Sequence, residues 1–412
     1  MFDSVDLGAG DIVEVQGGVI YDVTAPGIIM YEDDSGAPGN PVILRGMPVA
    51  GQRPHLRGGS NTIEFRSSNH VLFENFEVSG TGTTTSGTFR CIYHHAHDIT
   101  IRNVIVHDCP RHGILGADTD SGSLTVEYSE IRNSGSNGGN HAIYMSTDQI
   151  KYPGSVFRLQ YSYLHDSRFG DVGEGGNLVK SRSERNQIYY NWLEDAYYHE
   201  LELIGPDPCS GCQQPGWTNA TAREDSDVVG NMIVHTGDFG SVLRLGGDNT
   251  GASYGRYRLV NNTIVRLGGV EAESTIFRLF DDILSVEMHN NVIWRDTGNV
   301  RAVREVEALW VAGSLISGSN NWIKSNATFL PGTWSGTLSG TAPGFTNSGA
   351  FDFSLAVASA ALDNAGAATP TFGSDYHLPA LLFPPTLLPP QRALVPVGTI
   401  APRPTTGVLD RG

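Results

Sequence analysis

A short phrase of β-forming residues around a central Asn or Tyr recurs nine times along the chain, and this repeat constrains the fold more than any other feature. It begins as Phe73-Glu-Asn-Phe-Glu-Val78, Ile101-Arg-Asn-Val-Ile-Val106, Val126-Glu-Tyr-Ser-Glu-Ile131 and Leu159-Gln-Tyr-Ser-Tyr-Leu164. It continues through Tyr189-Tyr-Asn-Trp-Leu193, Val229-Gly-Asn-Met-Ile-Val234, Val260-Asn-Asn-Thr-Ile-Val265, His289-Asn-Asn-Val-Ile293 and Ser319-Asn-Asn-Trp-Ile323. Taking 75, 103, 128, 161, 191, 231, 262, 291 and 321 as centres, the steps are 28, 25, 33, 30, 40, 31, 29 and 30 residues. Units this short cannot bury a core of their own, so each must rest its inward side chains on the unit before it. Asparagines at one repeated position can then stack as an internal amide ladder. A WD-type propeller competes, but its Trp-Asp and Gly-His marks are absent and the steps are too short for four-stranded blades. The repeat predicts an all-β, right-handed parallel β-helix.

For 412 residues the usual expectation is two or three domains, but a stacked repeat overrides it. Coils are expected over residues 1–330, with an N-terminal cap at Val13-Glu-Val-Gln-Gly-Gly-Val-Ile-Tyr-Asp22. The repeat is lost after that. Residues 331–412 are expected to close the helix and run back over it as a Pro-rich extended strap. Fifty glycines and 17% charged residues fit a turn-rich β protein. With no apolar run of about 18 residues, no membrane span is expected. The start, Met1-Phe-Asp-Ser4, lacks a basic-then-apolar leader, so a secreted protein is expected to have had its signal removed.

A net charge of −17 argues against nucleic-acid binding, which needs a basic footprint. An acidic ligand remains compatible, because Lys151, Arg158, Arg168, Lys180, Arg182 and Arg185 concentrate positive charge in one span. Cys209 and Cys212 lie in a Pro/Gly-rich loop and read as a tight loop disulfide, consistent with an oxidising, extracytoplasmic setting. His94, His95, His107 and His112 surround the other two cysteines, Cys91 and Cys109. A monomer is expected.

Each coil has a second strand after its Asn strand. Aligned by inward aliphatic residues, these strands place Tyr144, Lys180, Glu202, Arg244 and Arg278 in one outward column. A neighbouring column reads Ala142, Leu178, Glu200 and Val242, with His141 at the strand edge. Glu200 and Glu202 are both expected outward, with Leu201 and Leu203 inward. The lysine stands out, because the chain has 27 Lys plus Arg and only three are lysines: Lys151, Lys180 and Lys324. An ammonium can give up its proton in a suitable site where a guanidinium cannot. The simplest alternative is a surface charge chosen by drift.

A column of Tyr, Lys, Glu and Arg spaced roughly 4.8 Å per coil reads as a groove for an acidic sugar chain. Arg182, Arg168, Arg278, Glu200 and Tyr198 are its expected binding residues. Lys180 or Tyr144 would remove the C5 proton of a uronate, and a second group would protonate the leaving oxygen, giving β-elimination. His141 and His199 are further acid/base candidates, and His165 is expected to cap or orient a turn. Asp171 and Glu174, in a loop beside Lys180, are candidate Ca²⁺ ligands. Four alternatives stand beside this reading. The column is a solvated salt-bridge ladder. Glu200 and Glu202, roughly 6.5–7 Å apart between Cα atoms, form a hydrolase pair. The chain is a uronan C5-epimerase, although an Asp-Pro-His-Glu motif is absent. Or it is a non-catalytic glycan-binding β-helix using Tyr189, Tyr190, Trp192, Tyr197 and Tyr198. Asp281 and Asp282 resemble the acidic pair of pectin hydrolases without its glycine context.

Leu178-Val-Lys-Ser181, then Asn186-Gln-Ile-Tyr-Tyr-Asn191, then a strand ending at Gly205 resembles the chondroitinase B/alginate lyase group of β-helical polysaccharide lyases. That group carries a Val-Lys-Ser strand, an Asn-x-Ile-x-x-Asn coil and an Arg-His-Gly strand end. The resemblance covers roughly 30 residues beyond the generic coil repeat. It implies a secreted polysaccharide lyase with Lys180 as base. Two positions depart from the pattern. The arginine of Arg-His-Gly falls on Leu203 and its histidine on Ile204, which moves the acid to Arg244, Tyr144 or His199. The group's calcium-binding glutamates fall on Gly173 and Gly175, with Glu174 between them.

Overall fold

The computed structural model describes residues 5–170, 173–205, 224–247, 253–280, 283–305, 315–356, 362–363, 365–366, 384–404 and 410–412. The chain winds as a right-handed parallel β-helix. Three sheets run along its length. The first has twelve strands, from Ile12–Gln16 to Trp334–Ser335, and the second has twelve, from Ile20–Val23 to Leu338–Gly340. The third has ten, from Ile28–Met30 to Asn299–Glu305. Each of the first ten coils gives one strand to each sheet, the last two give strands to the first and second sheets only, and every coil pairs with its neighbours along the stack.

The period of two sends alternate side chains inward, and stacking turns each inward position into a column. In the first sheet Ile101, Val126, Leu159, Ile188, Val228, Leu259 and Met288 lie in register and are fully buried. In the third sheet Ile143, Val179, Leu201, Leu243 and Phe277 do the same. One coil alone could not shield any of them from water.

The amide ladder exists, but the repeat slips by one residue against the alignment expected from sequence. Tyr163 pairs with Trp192, so Tyr161 stands over Tyr190 and Ser162 over Asn191. The outer position, at the bend between the first and second sheets, has positive φ at Asn75, Asn103, Tyr128, Tyr161, Tyr190, Gly230, Asn261, Asn290 and Asn320. Asn and Gly tolerate that conformation. The tyrosines stack outward instead, Tyr161 on Tyr190 with ring centres 5.9 Å apart. The next position inward holds the ladder, where Asn191 Nδ2 donates to Asn231 Oδ1 at 3.0 Å. Asn231, Asn262 and Asn291 continue it to Asn262, Asn291 and Asn321 at 2.9, 3.0 and 3.0 Å. Asn-Asn pairs fill both positions in the later coils, which is why a central asparagine alone cannot set the register.

Cys91 and Cys109 form a disulfide inside the N-terminal coils, and Cys209 and Cys212 lie outside the described residues. The C-terminal residues run back over the bend and the second sheet. The Thr386 amide donates to Tyr190 Oη at 3.0 Å, and Arg392 holds Glu194 through Nε and Nη2 at 2.9 Å each. Phe345 and Phe353, on a small antiparallel pair, pack against Trp294 and Trp192. Among the described residues no helix is long and apolar enough to cross a membrane.

Candidate functional site

The third sheet sets the outward column in register as Tyr144, Lys180, Glu202, Arg244, Arg278 and Arg304. Lys180, on the strand Val179–Arg182, points out because Val179 and Ser181 on either side of it point in. Its Nζ lies 5.1 Å from the centre of the Tyr144 ring and 3.7 Å from Glu202 Oε1. The same Glu202 oxygen is 3.1 Å from Arg244 Nη1. The Arg244 guanidinium carbon in turn sits 3.9 Å from the centre of the Phe280 ring. Lys180 and Arg244 keep 16% and 18% of their side chains exposed, whereas Glu202 keeps 4%, so a ligand at this face meets the cations first.

Arg182, two residues beyond Lys180, is buried. Its Nε donates to the Tyr144 hydroxyl oxygen at 3.0 Å and its Nη1 to the Gly205 carbonyl at 2.9 Å. Arg278 is desolvated, and that burial, with Arg244 and Arg304 on either side, lowers its pKa. Three arginines on successive coils repel one another, and among the described residues Glu202 is the carboxylate that pairs with this stretch of the column, through Arg244.

Beneath the column, three residues earlier in each coil, runs a ladder that the sequence reading missed. His112 Nδ1 accepts from the His141 amide at 3.3 Å, and His141 Nδ1 accepts from the Asn177 amide at 3.0 Å. Asn177 Oδ1 accepts from the His199 amide at 3.0 Å, while Asn177 Nδ2 donates to Glu202 Oε2. Burial, with Lys180 next in weight, holds His141 well below the usual histidine range. Burial, with Arg278 next, does the same to His199. His112 falls to about 3, chiefly by burial. His141 and His199, expected as acid/base groups, are buried under the column and tie successive coils together through these contacts. The detectable signal was spacing: 141, 177 and 199 precede Tyr144, Lys180 and Glu202 by three, and His112 precedes Leu115, the residue paired with Tyr144, by the same step.

Glu200 corrects an expectation. It is fully buried rather than outward, and its Oε1 meets His235 Nδ1 at 2.7 Å and the Ala196 amide at 3.1 Å. The paired strand begins only at Leu201, so Glu200 lies in the preceding bend, where strand alternation no longer directs its side chain. Burial raises its pKa. It can neither bind a ligand on the sheet face nor form a hydrolase pair with Glu202. Instead it anchors His235, whose Nε2 lies 2.7 Å from the Phe239 carbonyl.

Phe239 connects the column to a cleft of about 750 Å³. Its ring lies 5.0 Å from Tyr198, 4.9 Å from His199 and 5.8 Å from the Arg278 guanidinium. The cleft is lined by Arg132, Asp166, Arg168, Asp195, Tyr197 and Tyr198, among others. Arg168 and Tyr198, both expected in the groove, therefore border this cleft rather than Lys180 itself. His165, expected at a turn, lies between Asp166 and Glu130, 2.5 Å from Asp166 Oδ2 and 3.2 Å from Glu130 Oε1. Glu174 is exposed and hydrogen-bonded to the Tyr198 side chain, while Asp171, Asp281 and Asp282 lie outside the described residues. Among the described residues, the one group of three His, Cys, Asp or Glu side chains close enough to share a cation is His55, Glu77 and His107, on the second sheet.

No family model and no curated protein matches the chain. Solved structures do resemble it. Pectate lyase Pel9A is 13% identical with a TM-score of 0.47, covering 92% of this chain and 88% of its own. An alginate lyase from Paenibacillus sp. str. FPU-7 is 14% identical with a TM-score of 0.47, covering 74% and 93%. The PL6 family polysaccharide lyase Pedsa3628 from Pseudopedobacter saltans is 11% identical with a TM-score of 0.39, covering 81% and 88%. The likeness is one of fold.

Proposed function

We propose that the third-sheet face binds a uronate-containing polysaccharide and cleaves it by β-elimination. The observation that carries this reading is the position of Lys180 Nζ, against the Tyr144 ring and within 3.7 Å of Glu202, with Arg244 on the next coil. An amine, a phenol and a guanidinium thus converge at one partly exposed spot. The Arg244 and Arg278 charges neutralise the uronate carboxylate, which makes the C5 proton more acidic. Lys180 in its amine form removes that proton. The electron pair becomes the C4–C5 double bond as the C4–O bond breaks, and Tyr144 protonates the departing oxygen. Arg182 holds the phenol in place, while Glu202 spaces the two cations. Phe239, Tyr198 and Arg168 extend the binding surface into the cleft. The Cys91–Cys109 disulfide supports an oxidising, extracytoplasmic setting for this activity. In this reading Lys180, Tyr144 and the arginines carry the elimination, and Glu174 is the candidate Ca²⁺ ligand that the chelator comparison tests.

The test follows the ultraviolet absorbance of the unsaturated product during incubation with a panel of uronate polymers. It compares wild type with Lys180→Ala, each with and without chelator. A rise that the variant lacks supports elimination through Lys180, and loss with chelator adds a metal. New reducing ends without a rise indicate hydrolysis. An altered uronate composition without cleavage indicates epimerisation. No change on any polymer leaves a binding module.

A further inference from the structure

His55, Glu77 and His107 come from three successive coils of the second sheet, on the strands His55–Gly58, Glu77–Ser79 and Ile105–Cys109. One ligand atom from each lies within 4.8 Å of the others. His107 Nε2 is 2.8 Å and His55 Nδ1 is 3.7 Å from the same carboxylate oxygen, Glu77 Oε1. A tetrahedral ion with bonds of about 2.0–2.2 Å to nitrogen and oxygen separates its ligands by roughly 3.3 Å, between these two values.

The far side of each imidazole is also engaged. His107 Nδ1 faces Asp108 Oδ2 at 2.7 Å, and His55 Nε2 faces Ser79 Oγ at 2.7 Å. These partners fix both rings, leaving His107 Nε2 and His55 Nδ1 to converge on Glu77. A carboxylate behind a ligating histidine is the usual outer support of a metal-bound imidazole. Not every group nearby favours a cation. Arg53 lies close enough to interact with Glu77, but its guanidinium is spent on the Asn103 carbonyl and side chain. Arg57 is turned to Asp22. The His165 arrangement shows the contrast: one imidazole between two carboxylates, with no second histidine in the group.

We propose that His55, Glu77 and His107 form a site for a divalent transition metal of the Zn²⁺ class, distinct from the Lys180 face. Two imidazoles and one carboxylate suit that class, whereas Ca²⁺ and Mg²⁺ prefer all-oxygen shells. The ion joins three coils at the outer surface, close to where the Cys91–Cys109 disulfide joins coils from inside. Glu77 is about one-third exposed, which leaves a fourth position for water.

The test uses the full chain without a histidine tag, stripped with chelator and titrated with Zn²⁺ by calorimetry, with bound metal counted after dialysis. One tight equivalent is expected, absent from a His55→Asn/His107→Asn double variant and weakened about 10–100-fold in Asp108→Asn. Ca²⁺ should produce no matching signal. Equal Zn²⁺ binding by wild type and double variant overturns the proposal, as does no binding by wild type. If the double variant does not fold, Co²⁺ added to wild type and to Glu77→Gln decides. Visible bands of a tetrahedral site are expected in wild type and diminished in the variant, and their absence from wild type overturns the assignment.

Discussion

Arg182 Nε donates to the Tyr144 hydroxyl at 3.0 Å, so the phenol of one coil is held by a guanidinium of the next. The same guanidinium reaches the Gly205 carbonyl, and Lys180 Nζ stands 5.1 Å from the centre of the Tyr144 ring. A proton donor in a lyase needs this kind of restraint, because its oxygen must meet the leaving group at hydrogen-bond distance.

Tyr144→Phe keeps the ring beside Lys180 and removes the hydroxyl. Under the proposed reaction kcat falls by roughly 10²–10⁴ with KM nearly unchanged. Arg182→Lys moves kcat in the same direction, because an ammonium cannot span both partners of the guanidinium. Steady-state kinetics separates the two constants, and an unchanged kcat in Tyr144→Phe removes this residue from the chemistry.

Glu202→Gln keeps a side chain within reach of Asn177 but removes the negative charge between Lys180 and Arg244. A polyanion should then bind more tightly, with KM lower by roughly threefold to fivefold, the weight of one screened charge pair. The gain should shrink as salt is raised. A higher KM at low salt would mean that Glu202 contacts the sugar itself.

Glu200→Ala leaves the buried His235 Nδ1 without its hydrogen-bond partner and is expected to cost about 1–3 kcal/mol in denaturant unfolding. Glu200→Gln, which keeps a hydrogen bond to the imidazole, should cost less. Full stability with lost activity would return Glu200 to the chemistry.

The pH dependence of stability should carry a His165 component. Burial opposes charge on this imidazole, but Asp166 and Glu130 outweigh it and raise the pKa to about 9. A pKa raised above the unfolded value near 6.5 stabilises the fold fully below about pH 6.5, and that share disappears as pH rises through about 9. The shift alone corresponds to about 3 kcal/mol, and screening at the half-exposed Asp166 reduces it to about 1–2 kcal/mol. Unfolding midpoints of wild type and His165→Gln should therefore converge between about pH 6.5 and 9. A gap independent of pH would contradict the assignment.

Asn262 accepts from the Asn231 amide and side chain and donates to Val228 and Asn291. Asn262→Ala leaves several buried groups unpaired at about 1–3 kcal/mol each. A loss of at least about 2 kcal/mol is expected from denaturant unfolding. A smaller loss would mean that the ladder relaxes around the gap.

The column of Tyr144, Lys180, Glu202, Arg244 and Arg278 was legible because two periodicities determine it. Strand alternation decides which side chains leave the core, and the repeat decides which of them share a height. The same logic failed by one residue at Tyr161 and Tyr190, where the outer bend and inner ladder positions both accept asparagine in other coils. It failed again at Glu200, one residue before its strand begins. The histidine ladder was visible as a spacing but not as a function, because no local rule says that an imidazole accepts from the next coil's amide.

The sequence by itself determined the stacked coil, its inward aliphatic columns and the outward row that carries Lys180. Those depend on local period and on the need of short units to bury a shared core. Only the tertiary structure decided the contacts between coils: Arg182 on Tyr144, Glu200 on His235, and His55 with His107 around Glu77. Each joins residues 22 to 52 positions apart in the chain. Their distances depend on loop lengths and bends that set how one coil rests on the next, and strand periodicity does not encode those.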